Sequence, residues 1–399
     1  MGCNVTCLGD LSIDGGKYGI AAPAVEYDPQ FPAYLRISDI NDDGTLNTTD
    51  RKSVADPSAK SYMLKRGDIV FARTGGSTGR NYYYDERDGN FAFAGFLIKF
   101  SLDPTRVNPR FIKYYTQSKP YWNWIRSFNT GSTRGNINAK TLAGMPIPLP
   151  SQPVQNAIVS ICDSISEKIR LNNRLNGYLV EFVNSEFVKR FDSHGPKTPL
   201  KNVLSISTKS LNPQQHVGEV WEHYSIPAFD ATHWPTFELA DGIKSNKYVV
   251  DNNSILISKL NPSIKRMWVP ACLTDKAVCS TEFIVYKPLE SSHKSFYCAA
   301  INAEEFTAFL LEHVTGSTGS RQRTQQKATH NYPMPNPSRI EIESFCTFAD
   351  PIYQQIQANE IESQRLRSLR DTLLPKLMSG EIDVSKVDLT QLNSHLADC

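Results

Sequence analysis

Two stretches of this 399-residue chain crowd hydroxyls, backbone amides and cations into a few positions. Residues 130–140 read Thr-Gly-Ser-Thr-Arg-Gly-Asn-Ile-Asn-Ala-Lys, and residues 315–327 read Thr-Gly-Ser-Thr-Gly-Ser-Arg-Gln-Arg-Thr-Gln-Gln-Lys. Phosphate oxygens are contacted by Lys, Arg, hydroxyls and backbone N–H groups, and each stretch offers all four. Arg134 and Lys140 in the first, and Arg321, Arg323 and Lys327 in the second, are therefore candidate phosphate or base contacts. Base edges in duplex DNA are read by Arg, Asn and Gln, which adds Asn136, Gln322 and Gln325. A second set follows an apolar run in each half. Arg73 and Arg80 flank a glycine-rich turn at 72–80, and Lys259, Lys265 and Arg266 hold the matching places at 258–266. One such loop is better explained as a plain surface turn with a solvated cation. Two at matched positions favour contact with a polyanion.

The overall charge hides this pattern. Lys and Arg number 43 against 41 Asp and Glu, a net charge of +2, so the chain does not coat nucleic acid by bulk charge. Locally, no acidic residue lies between Pro104 and Cys162 or between His313 and Ile340, and each window holds one Thr-Gly-Ser-Thr loop. Catalytic signatures are missing from the sequence. No G-x-x-x-x-G-K-[ST] loop, no G-x-G-x-x-G opening a helix, no Asn/Asp-Pro-Pro-aromatic motif, no H-E-x-x-H and no G-x-S-x-G occurs. The eight cysteines contain no Cys-x-x-Cys pair and read as reduced thiols of a cytoplasmic protein. No run of 18 apolar residues exists, and the N-terminus lacks the basic and apolar regions of a signal peptide.

The elements that must position these residues come from an internal repeat. Gly67–Thr74 resembles Asn253–Leu260, Ala94–Phe100 resembles Thr281–Lys287, and Pro146, Pro148 and Pro150 match Pro333, Pro335 and Pro337 at an offset of 187. Each half reads as a β-rich module followed by a helix. The expected divisions are 1–150, a helix over 151–192, a second module over 193–338, a second helix over 339–379, and a polar tail over 380–399. Ser338 with Glu341 fits a capping box, and Pro351 is expected to kink or restart the second helix. Ile158, Ile161, Ile165, Ile169, Leu175, Leu179 and Phe182 form an apolar stripe on the first helix. Ile352, Ile356, Leu366, Leu369 and Leu373 form one on the second. The repeat sets Asn172 against Asn359, one near the middle of each helix. If the helices pack antiparallel, these two side chains are expected to pair and fix register. The fold class is thus α+β: two β-rich domains separated by an antiparallel coiled coil of two long helices, with a pseudo-twofold repeat.

Those segments, with Thr130–Ile137, Cys279–Pro288 and above all Leu369–Ile382 (LRDTLLPKLMSGEI), resemble the specificity subunit of type I restriction-modification systems over nearly the whole chain. The resemblance implies two target recognition domains, each reading half of a split, asymmetric DNA sequence, spaced by the helix pair. It implies a non-catalytic subunit with no cofactor of its own. Two modification subunits would carry S-adenosylmethionine and methylate adenine; restriction subunits would use ATP and Mg2+. Helices about 40 Å long suit half-sites roughly one turn of DNA apart. The outward helix faces around Arg170, Arg174, Arg365 and Arg370 are expected to be available for docking the modification subunits. Two rival readings stay open: a diverged DNA methyltransferase or nuclease with its own active site, and a scaffold that binds only protein.

Overall fold

The computed structural model describes residues 4–47, 50–128, 136–191, 195–316, 322–384 and 387. The chain forms two compact units, Met1–Ile169 with Arg365–Cys399, and Arg170–Gln364. The division is not sequential, because each long helix gives one half to each unit.

In the first unit a four-stranded antiparallel sheet runs in the order Lys17–Tyr18, Leu97–Ser101, Asp68–Ala72, Asn81–Tyr83. Its two central strands are apolar at successive positions because both faces are covered. Ile69, Phe71, Ile98 and Phe100 face a core that includes the long helices, while Val70, Ala72 and Leu97 face a second sheet. That second sheet contains Ala33–Leu35 paired parallel to Phe91–Phe93.

The second unit repeats the plan. Leu204–Ser207, Phe283–Pro288, Ile255–Ser258 and Met267–Trp268 make a sheet of the same strand order. A parallel pair, Val220–Tyr224 with Ala277–Cys279, lies in its second sheet. The short proline-spaced strands pair likewise, Pro146–Leu149 with Asn4–Cys7 and Pro333–Pro335 with Lys197–Pro199. Each is a two-stranded ribbon, where a residue without an N–H is tolerated.

The repeat needs one correction. Phe71 pairs with Ile98, and Ile257 pairs with Ile284. The strands are therefore equivalent at an offset of 186, so the 187 expected for Ala94–Phe100 is one residue out. A one-residue slip would turn Ile98 and Phe100 away from the helix-facing core, and burial excludes it.

The long helices span Gln152–Arg190 and Arg339–Ser379. Ser338 caps the second: its N–H and hydroxyl donate to Glu341 Oε2 at 2.8 and 2.6 Å, and its Oγ accepts the Glu341 N–H. The helix continues through Pro351 without a break, contrary to the expected restart. Loss of one N–H is outweighed there by flanking packing, with Phe345, Cys346 and Ala349 in the core and Ile352 against it.

The pairing is antiparallel. In the second unit Asn172 meets Glu362 and Ser363, Asn176 meets Ile356 and Asn359, Phe182 meets Phe348, and Phe187 meets Phe345. In the first unit Ile158, Ile161, Ile165 and Ile169 pack with Leu366, Leu374 and Leu377. The stripe is narrower than periodicity suggested, since Leu175, Phe182 and Leu369 are exposed.

Asn172 and Asn359 are each 5% exposed but do not pair side chain to side chain. The Asn172 amide donates to Glu362 Oε2 at 2.6 Å, to Ser363 Oγ at 3.3 Å and to the Asn359 carbonyl at 3.5 Å. The Asn359 amide donates to Asn176 Oδ1 at 2.7 Å. Nearby polar side chains on the facing helix satisfy each amide better than its symmetry mate would.

Among the described residues no helix is long and apolar enough to cross a membrane, and no group of His, Cys, Asp and Glu could hold a metal. Cys7, Cys162, Cys272, Cys279, Cys298 and Cys346 are free thiols; burial pushes that of Cys162 up to about 12.

Candidate functional site

Each unit ends its main sheet in a platform of three backbone segments. In the first unit these are the end of Asp68–Ala72, the turn before Leu97, and the exit of the first Thr-Gly-Ser-Thr loop. The Arg73 N–H donates to the Phe96 carbonyl at 3.1 Å, the Ile137 N–H donates to the Arg73 carbonyl at 2.9 Å, and Thr74 bridges Asn136. In the second unit the Lys259 N–H donates to the Glu282 carbonyl at 2.9 Å, the Thr324 N–H donates to the Lys259 carbonyl at 2.9 Å, and Leu260 bridges Arg323. Three contacts recur in the same order, which makes Arg73 equivalent to Lys259, Phe96 to Glu282, and Asn136 to Arg323.

The side chains on these platforms differ. In the first, the Arg73 guanidinium lies 5.1 Å from the centre of the Tyr18 ring, and its Nε is buried without a partner. Phe96 is 58% exposed, a large apolar side chain in water, and Asn136 is exposed beside it in the fold. In the second, Arg323 Nε donates to both Glu282 carboxylate oxygens at 3.0 and 3.2 Å, and Nη2 donates to one at 3.1 Å. Arg323 is also fixed by its backbone, which pairs with Thr315 on its other side.

The loops behind the platforms are built differently. Residues 75–79 make a tight turn between antiparallel strands. The Gly79 N–H donates to the Ala72 carbonyl at 2.9 Å, with φ +90, and a Cβ at Gly79 would stand 2.7 Å from Ile125. Glycine is the residue that fits both demands. In the second unit Asn261, φ +48, answers Gly75, φ +72, and its N–H donates to the Gln322 carbonyl at 2.9 Å, while Lys265 stands in the place of Gly79.

The candidate residues sort as follows. Arg134 and Arg321 lie outside the described residues, as do all of Thr130–Thr133 and the last two positions of the second Thr-Gly-Ser-Thr loop, Ser317 and Thr318. Arg73, Asn136, Lys259, Gln322 and Arg323 come together on the platforms. Lys140, Gln325 and Lys327 are exposed on the segments that follow the loops. Arg266 is turned inward, and for it the expectation of DNA contact is corrected; Arg80 and Lys265, each exposed in part, are tied to neighbouring backbone. Arg266 is 7% exposed and grips Asp230 through Nε and Nη2 at 2.6 and 2.9 Å. The Lys265 amine donates to the Asn302 carbonyl. Arg80 Nε donates to Asp42 at 2.6 Å and Nη1 to the Ile40 carbonyl at 3.3 Å, which ties down the 40–42 loop. Arg266, enclosed with its carboxylate partner, is out of reach of a ligand.

Sequence reasoning missed Phe96, Glu282 and Tyr18. Phe96 and Glu282 sat inside segments read as strand, under an alignment one residue out of register. The correct offset of 186 would have matched Phe96 with Glu282; only strand pairing within each unit sets them beside Arg73 and Lys259.

Comparison with known proteins adds to this geometry. Residues 2–179 match the family described as type I restriction modification DNA specificity domain. The chain is 25% identical over 317 residues to the type I restriction enzyme MjaIX specificity subunit of Methanocaldococcus jannaschii, covering 70% of this chain and 71% of that one. It is 20% identical to the HindI specificity subunit of Haemophilus influenzae, covering 88% and 95%. A crystal structure of the type I restriction-modification S subunit from M. genitalium matches 94% of this chain and 96% of that one, at 17% identity and a TM-score of 0.49.

Proposed function

We propose that this chain is a specificity subunit of a type I restriction-modification system, as the match of residues 2–179 and the similarity to named specificity subunits support, and that each of its units reads one half of a bipartite, asymmetric DNA target. The observation that carries this is the platform built twice by the same backbone contacts with different side chains. A shared frame gives both units the same approach to the duplex, and changed side chains let them read different bases. Arg73, Asn136, Lys259, Gln322 and Arg323 contact the DNA from the platforms. Lys140, Gln325 and Lys327, with Arg134 and Arg321, contribute phosphate contacts around them.

In this reading the chain supplies recognition and no chemistry, and holds no cofactor. Two modification subunits bring S-adenosylmethionine and methylate adenine; restriction subunits add ATP- and Mg2+-dependent cleavage. The antiparallel helices set the spacer between the half-sites, and their exposed faces, at Arg174 in one unit and Arg365 in the other, are offered for docking; Arg370, expected to be available too, has a side chain only 11% exposed, bonded to Asp371. Asn172 and Asn359 fix the helix register.

Methylome sequencing of a host carrying this chain with its modification subunits tests the proposal. The expected result is one split motif modified on both strands, lost when the chain is deleted. Methylation unchanged by the deletion overturns it. Four residues inserted near Asn172 are expected to lengthen the preferred spacer.

A further inference from the structure

We infer that Arg323 reads a guanine in the half-site addressed by the second unit, that Glu282 positions it, and that Asn136 at the matched place in the first unit reads an adenine. This rests on the DNA reading proposed above and goes beyond it by assigning base identity.

A guanidinium has five N–H donors in a rigid plane. Glu282 takes the Nε–H and one Nη2–H. The Nη1 hydrogens and the second Nη2–H remain, and one from each nitrogen point the same way along the terminal edge. That edge matches guanine O6 and N7, the commonest specific contact in the major groove. The carboxylate fixes the plane of the fork before any ligand arrives, and the backbone of Arg323, paired with both Leu260 and Thr315, fixes its root.

A phosphate contact fits this arrangement poorly. A carboxylate about 3 Å from the guanidinium cancels much of its charge and repels a phosphate. It does not repel the neutral edge of a base. Buttressing by a carboxylate therefore favours base reading over backbone binding. Lys259, exposed in part on the same platform with no carboxylate on its amine among the described contacts, is better suited to a phosphate.

The first unit lacks the pair altogether. Phe96 stands where Glu282 stands, and Asn136 where Arg323 stands. Asn is the bidentate partner of adenine N6 and N7, and an exposed aromatic ring contacts a thymine methyl. An A·T pair satisfies both side chains.

The test selects binding sites for the full chain from a pool of randomised duplexes, sequences them, and repeats the selection with R323A, R323K, E282Q and N136A. The wild-type chain is expected to enrich a guanine at one position of one half-site and an adenine at the matched position of the other. R323A and R323K are expected to lower the guanine preference roughly 5- to 150-fold at that position alone. R323K keeps the positive charge and loses the fork. E282Q, nearly isosteric, is expected to weaken the guanine preference while raising affinity for unrelated duplexes, a combination that a purely structural role does not produce. N136A is expected to flatten only the adenine position. In each variant the untouched half-site reports that the chain is folded. A uniform loss of affinity in R323A, with a salt slope lower by about one, overturns guanine reading and makes Arg323 a phosphate contact. An unchanged guanine preference in E282Q overturns the positioning role. Failure of the wild-type chain to enrich any sequence overturns the DNA reading itself.

Discussion

The two units place the same sheet over the same kind of core and then diverge at its open end. On one, Arg73 stacks on Tyr18 beside an exposed Phe96; on the other, Glu282 holds Arg323 in a fork. The strands beneath pair residue for residue at an offset of 186, with Ile69 and Phe71 answering Ile255 and Ile257. Backbone geometry has thus been held constant while the side chains on it were free to change. The divergence falls where a side chain can change without disturbing a core.

The comparison can be broken hardest at the turn behind each platform. Gly79→Ala places a Cβ against Ile125 in a backbone that L-residues avoid, and is expected to cost about 2–4 kcal/mol. The equivalent Lys265→Ala removes only a partly exposed amine contact and is expected to cost under about 1 kcal/mol. Hydrogen exchange resolved for each unit measures both. Equal costs would mean that the two loops are not built differently after all.

A smaller effect is expected between the helices. Asn172→Ala leaves Glu362 and Ser363 without their amide donor and is expected to cost about 1–3 kcal/mol. Urea unfolding with a probe in residues 170–364 measures it. A cost near zero would mean that water replaces the lost donor.

The smallest effect separates the units by pH. In the first, the loop after Asn81–Tyr83 is tied to the first long helix by Arg87, which bonds Asp85 at 2.6 Å and Glu167 at 2.9 Å. In the second, the corresponding tie is an uncharged bond from the Gln357 amide to the Ala271 carbonyl at 3.4 Å. The Arg87 guanidinium holds the Asp85 carboxyl at about 2, below its ordinary 3.8. A depressed carboxylate stabilises the fold above its unfolded value and loses that contribution as pH falls from about 4 toward 2. The first unit is therefore expected to loosen in that window before the second. Arg87→Ala should return Asp85 toward its ordinary value, as read by NMR titration.

Much of this was legible in the chain. The repeat, the helix bounds near 152 and 339 and the Ser338–Glu341 cap follow from local patterns that fix backbone conformation, whereas the antiparallel pairing was only what the family resemblance implied. The candidate site was legible only as a neighbourhood. Arg73, Lys259 and Arg323 could be picked as cations near loops. Arg266 looked identical to them in sequence, and only Asp230, 36 positions away, shows it turned inward. Leu175 and Leu179 looked like core; the facing helix is too narrow to cover the whole stripe, and Leu175 stays in water.

The sequence by itself determined which segments become strand and helix and that the plan is used twice, because periodicity, caps and prolines act over a few residues. Tertiary structure alone decided which cation faces outward, which carboxylate stands beside it, and which residue of one unit answers which of the other. Those depend on strand register, which is set by burial of whole faces and by partners far apart in the chain.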